Sequence, residues 1–297
     1  MTRLSVGIEE HVIADSGTGP YGITSGPDGA LWFTEITAGR IGRVSVGGEL
    51  EVFPLPSRDS RPAIITTGPD GALWFTLNQG NQLGRITRSG ELVLFPLPTP
   101  GAGPFGIASG PDGALWFTEL GANQIGRMTT SGEVREYPLP TPGAFPSMIA
   151  PGSDGALWFT QNQGNSIGRI TVEGTLTQYP LPSAGAGPVG IAPGPDGALW
   201  FVEIQASRIG RIALDGKVTE YPIREGSRPH AIVTGPDGAL WFTQWGNNHI
   251  GRLTLAGDYA EFALPTAGSE PHGIAAGPDG ALWLALERGS IGRLFLK

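Results

Sequence analysis

Seven of the eight tryptophans in this chain stand at almost constant intervals. Trp32, Trp74, Trp116, Trp158, Trp200, Trp241 and Trp283 are separated by 42, 42, 42, 42, 41 and 42 residues. Each lies in a variant of the phrase Gly-Pro-Asp-Gly-Ala-Leu-Trp-Phe-Thr. Each is followed by an Ile/Leu-Gly-Arg triplet ending at Arg43, Arg85, Arg127, Arg169, Arg211, Arg252 or Arg293. A chain with this period is an array of supersecondary units, each too small to bury its own apolar face, which become stable by stacking on copies of themselves.

The content of one repeat identifies the unit. From Pro104 the segment Pro104–Ala108 reads as a first strand and Pro111-Asp112-Gly113 as a tight turn. Proline presets φ in such a turn, and glycine accepts φ > 0. Ala114–Thr118 then reads as a second strand, Gln124–Met128 as a third, and Glu133–Leu139 as a fourth whose prolines suit an edge. Glycine (48 residues) and proline (27) interrupt nearly every window of a dozen residues, which excludes a helical repeat. Four strands in about 42 residues describe a propeller blade. The expected fold is all-β: one seven-bladed β-propeller domain spanning residues 1–297. The last repeat stops after its third strand at Gly292-Arg293-Leu294-Phe295-Leu296, and Ile8–Ile13 precedes the first full repeat at the spacing of an outer strand. The N-terminal strand is therefore expected to complete blade seven and close the ring, leaving no edge to pair. A monomer follows as the expectation.

Composition narrows the function classes. A net charge of −8 argues against a nucleic-acid partner. The chain has no cysteine, so disulfides and thiol chemistry are excluded. No apolar leader opens it and no stretch approaches a membrane span, and a cytoplasmic protein is expected.

Positions shared by all blades read as structural, including the Trp, the turn glycines and the Gly-Arg pairs. Function is sought where the repeat breaks. The residue after the inner-strand proline is Tyr21, Ala63, Phe105, Ser147 (with Met148 shifting it slightly), Val189, His230 and His272. This slot is expected at one mouth of the channel, where loops of several blades converge. Two of four histidines occupy it in adjacent blades, whereas His11 reads as an edge-strand residue and His249 as a loop residue. Blade seven opens Glu270-Pro271-His272, and residues i and i+2 of an extended strand share a side. Its second strand runs Trp283-Leu284-Ala285-Leu286-Glu287, with one residue fewer before the Gly-Arg pair. That local change is expected to place Glu287 one step past the usual slot, close to the end of strand one in the same blade. Glu35, Glu119 and Glu203, after Trp-Phe-x in blades one, three and five, are expected to make the channel acidic or to bond within its wall. Two readings of the blade-six and blade-seven cluster stay open on the residues alone. It is either a set of water-satisfied polar groups or a site of two carboxylates and two histidines. Two carboxylates suit Mg²⁺, zinc would take the histidines, and a neutral histidine serves as a general base near pH 7.

At these residues the chain resembles the virginiamycin B lyase (streptogramin B lyase) family over essentially its whole length. The repeated phrase carries little specificity. Arg228-Pro229-His230, Glu270-Pro271-His272-Gly273-Ile274 and Ala285-Leu286-Glu287 carry much more. The resemblance implies His272 as the catalytic base, Glu270 and Glu287 as ligands of Mg²⁺, and His230 as a substrate-binding residue. It implies a carbon–oxygen lyase that opens type B streptogramins, cyclic depsipeptide antibiotics, by elimination at the ester, and so confers resistance. Tyr21, Phe105 and Trp245, the one tryptophan outside the repeat, are expected to line the pocket of such an apolar substrate. The alternatives are a relative acting on another ester or lactone, a non-catalytic propeller binding a peptide or protein, and a regularised engineered repeat.

Overall fold

The computed structural model describes residues 5–13 and 17–297. Its strands form seven four-stranded antiparallel sheets, one per repeat, joined in a ring through their inner strands. Blade three runs Pro104–Ser109, Leu115–Glu119, Gln124–Met128 and Val134–Pro138, from the channel outward, so the expected strands hold with ends moved by a residue or so. Blade seven is built from Pro271–Ala276, Leu282–Leu286 and Ser290–Leu296, and its outer strand is Val6–Val12. The two ends pair antiparallel from Val6 with Leu296 to Val12 with Ser290, closing the ring as expected. The only helix among the described residues is a single 3-10 turn at Arg58–Ser60, and none is long and apolar enough to cross a membrane.

The repeated phrase folds into one device used seven times. The turn aspartate accepts a hydrogen bond from its own blade's indole N–H at 2.9–3.2 Å. Its other oxygen accepts the Nε–H of the Gly-Arg arginine at 2.6–2.8 Å. Asp28 therefore ties Trp32 to Arg43, and its counterparts do the same around the ring. Burial opposes the charge on these aspartates, but the indole and guanidinium hydrogen bonds outweigh it and hold their carboxyls below the usual range. The tryptophans are fully buried. In six blades an aromatic residue of the outer strand stacks on the Trp, with ring centroids 5.2–5.6 Å apart. In blade seven His11 takes that place on Trp283 at 5.8 Å, a packing role for this histidine. The glycine of the triplet faces the Phe after the Trp, and a Cβ on Gly42 would overlap the Phe33 ring.

Neighbouring blades are stitched at the channel by the threonine after Trp-Phe. Thr34, Thr76, Thr118, Thr160 and Thr243 each donate to the mouth-slot carbonyl of the next blade, on Ala63, Phe105, Ser147, Val189 and His272, at 2.6–2.8 Å. The same oxygens accept an inner-strand N–H of their own blade, as Thr243 does from Ala231 at 3.0 Å. Ser147 thus sits in register, and Met148 does not shift it. Blades five and seven carry Val202 and Ala285 in place of the threonine.

Glu35, Glu119 and Glu203 do not face the channel. All three are fully buried. They end their second strands on the side that meets the third strand: Glu35 pairs with Arg40 at 2.6 Å and Glu119 accepts from Gln124 at 2.5 Å. Alternation fixes which face a strand residue takes, and this face looks along the blade stack. His249 begins a strand, His249–Leu253, and is not a loop residue.

Candidate active site at the channel mouth

Three rings of positions surround the mouth. The first is the residue before the inner-strand proline, which is left-handed in every blade. Gly19, Gly103 and Gly187 (φ 74°, 60° and 62°) fill it in three, and Arg61, Phe145, Arg228 and Glu270 (φ 50°, 56°, 45° and 54°) in the others. The second is the slot after the proline. The third is the residue just past the second strand, whose N–H bonds the first-ring carbonyl of the same blade. Trp245 N donates to Arg228 O at 3.2 Å, and Glu287 N to Glu270 O at 3.0 Å. Glu287 thus stands where blade six has Trp245, four residues after the blade's tryptophan in both, and the missing residue lies beyond it and does not move it.

These rings bring the singled-out residues together. The Tyr21 ring stacks on His272 with centroids 4.6 Å apart, and the two histidine rings meet edge-on at 4.6 Å. The Tyr21 hydroxyl lies 3.2 Å from His230 Nε2. Phe105 meets Tyr21 edge-on at 6.1 Å, and Trp245 lies 6.3 Å from His272. The Arg228 guanidinium sits 5.4 Å over the Trp245 ring. His272 Nε2 is 2.6 Å from Glu287 Oε2, in an approach too bent for a hydrogen bond from the ring, and His272 Nδ1 has no protein partner. Glu270 does not join His272. The same-side argument needs an extended backbone, but Glu270 is left-handed and the strand is irregular between Pro271 and Ile274. Its carboxylate instead pairs with Arg288 at 2.7 Å.

The electrostatics differentiate the two histidines. Burial, reinforced by the neighbouring His272, pushes His230 down to about 3, so it is neutral at pH 7. Burial, then the Glu287 charge, pushes the Tyr21 phenol upward, so it keeps its proton. The contact with His272 holds Glu287 below the usual carboxylate range against the opposing effect of burial, and the Arg288 charge adds to it. The cluster therefore offers a neutral phenol–imidazole pair beside a second imidazole that abuts a carboxylate. His272 is fixed from behind, since Thr243 of blade six donates to its carbonyl at 2.8 Å. Gly273 lets the strand come close, because a Cβ there would lie 2.5 Å from the Tyr21 carbonyl. Thr243 and Arg288 escape sequence reading. For Thr243 the available signal is the replacement of its counterparts by Val202 and Ala285.

Two clefts open beside this cluster on either side of Arg228 and Trp245. One of about 810 Å³ reaches Gln205 and Glu225. The other, about 490 Å³, is lined by Asn247 and Glu270. Below them the channel narrows to an apolar cavity of about 90 Å³ between Tyr21, Ile64, Met148, Ile191, His230 and Ile274.

Among the described residues no three His, Asp, Glu or Cys side chains converge as a ready metal cage. The donor set still fits a hard cation. Glu270 and Glu287 are linked through their backbones, their oxygens are partly exposed, and each already faces a nitrogen group, on Arg288 or His272. Mg²⁺ needs only one or two carboxylates because it keeps several waters.

Residues 6–294 match the model of the virginiamycin B lyase family. Virginiamycin B lyase of Saccharopolyspora erythraea is 58% identical over 45 residues, about one repeat, which covers 15% of this chain and 15% of that relative. A solved streptogramin B lyase superposes with TM-score 0.95 and 45% identity over 98% of both chains. A catalytically inactive histidine-to-alanine variant of virginiamycin B lyase from Staphylococcus aureus, solved with quinupristin, superposes with TM-score 0.95 at 44% identity, over 99% of this chain and 100% of that one.

Proposed function

The chain belongs to the virginiamycin B lyase family, and from that premise we propose that it linearises type B streptogramins by elimination at the ester, conferring resistance to them. The observation that carries this reading is the convergence of His272, Tyr21 and His230 with Glu287 at a mouth flanked by open clefts. His272 takes the α-proton of the threonyl residue whose side-chain oxygen forms the ester. The electrons of that C–H bond form a Cα–Cβ double bond, the Cβ–O bond breaks, and the carboxylate leaves. Glu287, 2.6 Å from Nε2, stabilises the imidazolium so formed. His230, neutral and bonded to Tyr21, orients the substrate or assists the leaving carboxylate. Trp245, held under Arg228, and Phe105 supply apolar surface.

Glu270 and Glu287 are the residues that would hold Mg²⁺, which when bound supplies Lewis-acid polarisation of a substrate oxygen. Binding it requires Glu270 to exchange its contact with Arg288.

The test is to incubate the protein with a type B streptogramin and Mg²⁺, with a chelator control, and weigh the product. Elimination gives a linear product of unchanged mass, and the chelator should stop the reaction. A gain of one water in mass would refute elimination. No reaction would refute the substrate.

A further inference from the structure

The first ring of the mouth holds a second signal. A left-handed backbone costs a residue with a Cβ roughly 1 kcal/mol, and glycine almost nothing. Blades one, three and five use glycine there, so the fold accepts it. Two of the four side chains that bear the strain, Arg228 and Glu270, line the cleft beside His272. The strain at those two positions goes with the site already described. Arg61 is the left-handed cap of the 3-10 turn Arg58–Ser60, which leaves Phe145 without such an account. It is 38% exposed and left-handed at φ 56°. Its ring joins none of the apolar core clusters of the blades.

Phe145 does line a cleft, of about 370 Å³, together with Gly103, Leu120 and Asn78. This cleft is the blade-three and blade-four counterpart of the one at Glu270. Leu120 stands in the third ring, where blade six has Trp245, and its N–H bonds Gly103 O at 3.1 Å. Phe145 stands where blade seven has Glu270. The two clefts share a backbone frame, and the far one presents a phenyl and an isobutyl group where the near one presents charge. Aromatic contacts run across the mouth toward blade three: His272 stacks on Tyr21 at 4.6 Å, and Tyr21 meets Phe105, the second-ring residue of blade three, at 6.1 Å.

We propose that the Phe145–Leu120 cleft is a binding subsite for an apolar side chain of the same cyclic substrate that engages His272. It rests on the substrate reading above and adds that the ring is held at two places across the mouth. Phe145 then contributes to affinity and to selection among cyclic depsipeptides, and not to the chemical step.

The fold supplies its own benign substitution, Phe145→Gly, since three blades already carry glycine there. Binding of a type B streptogramin is measured by calorimetry in a His272→Ala background, and kinetics in the otherwise unaltered protein. Losing the contact with one phenyl ring should weaken Kd and raise KM about tenfold, with kcat within about twofold. The melting temperature should be equal or higher, and Phe145→Tyr, which keeps the ring, should bind like the parent. Unchanged affinity in Phe145→Gly overturns the subsite and leaves the substrate reading standing. Failure of the His272→Ala protein to bind the streptogramin at all overturns the substrate reading and the subsite with it.

Discussion

Replacing Thr243 with valine should separate the positioning of His272 from the stability of the ring. The Thr243 hydroxyl is fully buried, accepts the Ala231 N–H at 3.0 Å and donates to the His272 carbonyl at 2.8 Å. Valine has the same shape, and blade five already holds Val202 at this slot, so no overpacking follows. Two backbone groups lose a partner at a cost of roughly 1–3 kcal/mol in stability. The equivalent change Thr160→Val strips the Met148 N–H and Val189 carbonyl of like bonds at 3.0 and 2.6 Å, and should cost about the same. The two variants should differ in turnover. A shift of His272 by a fraction of an ångström should lower kcat about 10- to 100-fold with KM little changed, since misplacement by about 1 Å can cost 10²-fold. Val189 stands outside the His272–Tyr21–His230 cluster, so Thr160→Val should keep its kcat. Melting curves and steady-state kinetics on both proteins provide the assay. Equal kcat in the two variants would refute the claim that the blade-six threonine positions the base.

Three further outcomes are expected. His272→Ala should lower turnover by at least 10²-fold while far-UV circular dichroism and melting stay near the parent's, because the ring faces the mouth and packs into no blade core. Arg288→Ala should tighten Mg²⁺ binding, read by calorimetry, about two- to fivefold, since it removes an exposed pair with Glu270 of the strength such pairs have; unchanged or weaker binding would exclude competition for that carboxylate. Glu203→Gln should stabilise the protein in a pH-dependent way. Burial, then repulsion from Glu220, pushes this fully buried carboxyl, whose two oxygens have no partner, up to about 8. A raised folded pKa means the native state keeps a proton that the unfolded chain releases above about 4.5. Parent stability therefore falls as pH rises from there to about 8, and the advantage of the variant should grow by roughly 3–4 kcal/mol between pH 5 and pH 8. A flat advantage would show that Glu203 does not titrate in that window.

Most of the ring was legible because the repeat states it seven times. Tryptophan spacing gave the blade count, and the outer-strand spacing of His11 placed the closure. The slot of Glu287 was legible too, by counting four residues on from Trp283 as Trp245 lies four on from Trp241, and the deletion beyond it, expected to be the cause, is not. Three things were hidden for separate reasons. Asp28 and its counterparts looked like turn formers, because their partners Trp32 and Arg43 lie across strands that only the fold aligns. Which of two readings of Glu35, Glu119 and Glu203 held, an acidic channel or bonding within the wall, was hidden, because alternation fixes a side without naming the partners: Arg40 and Gln124 hold the first two within the wall. The pairing of Glu270 with Arg288 was missed because a left-handed residue before proline breaks the two-residue period. A comparison of seven equivalent slots could have exposed it, since glycine fills three of them.

The joining of Val6–Val12 to Ser290–Leu296 has a consequence for when the protein becomes competent. Blade seven carries Glu270, His272 and Glu287, and its outermost strand is synthesised before the other six blades while its third is synthesised after them. Blades one to six each contain a contiguous stretch of sequence and can form in order as they emerge. The blade with the chemistry cannot be finished until some 290 residues later. Chains made only through blade six therefore hold a nearly whole ring whose candidate mouth is incomplete, and blade seven closes only when its two separated parts meet.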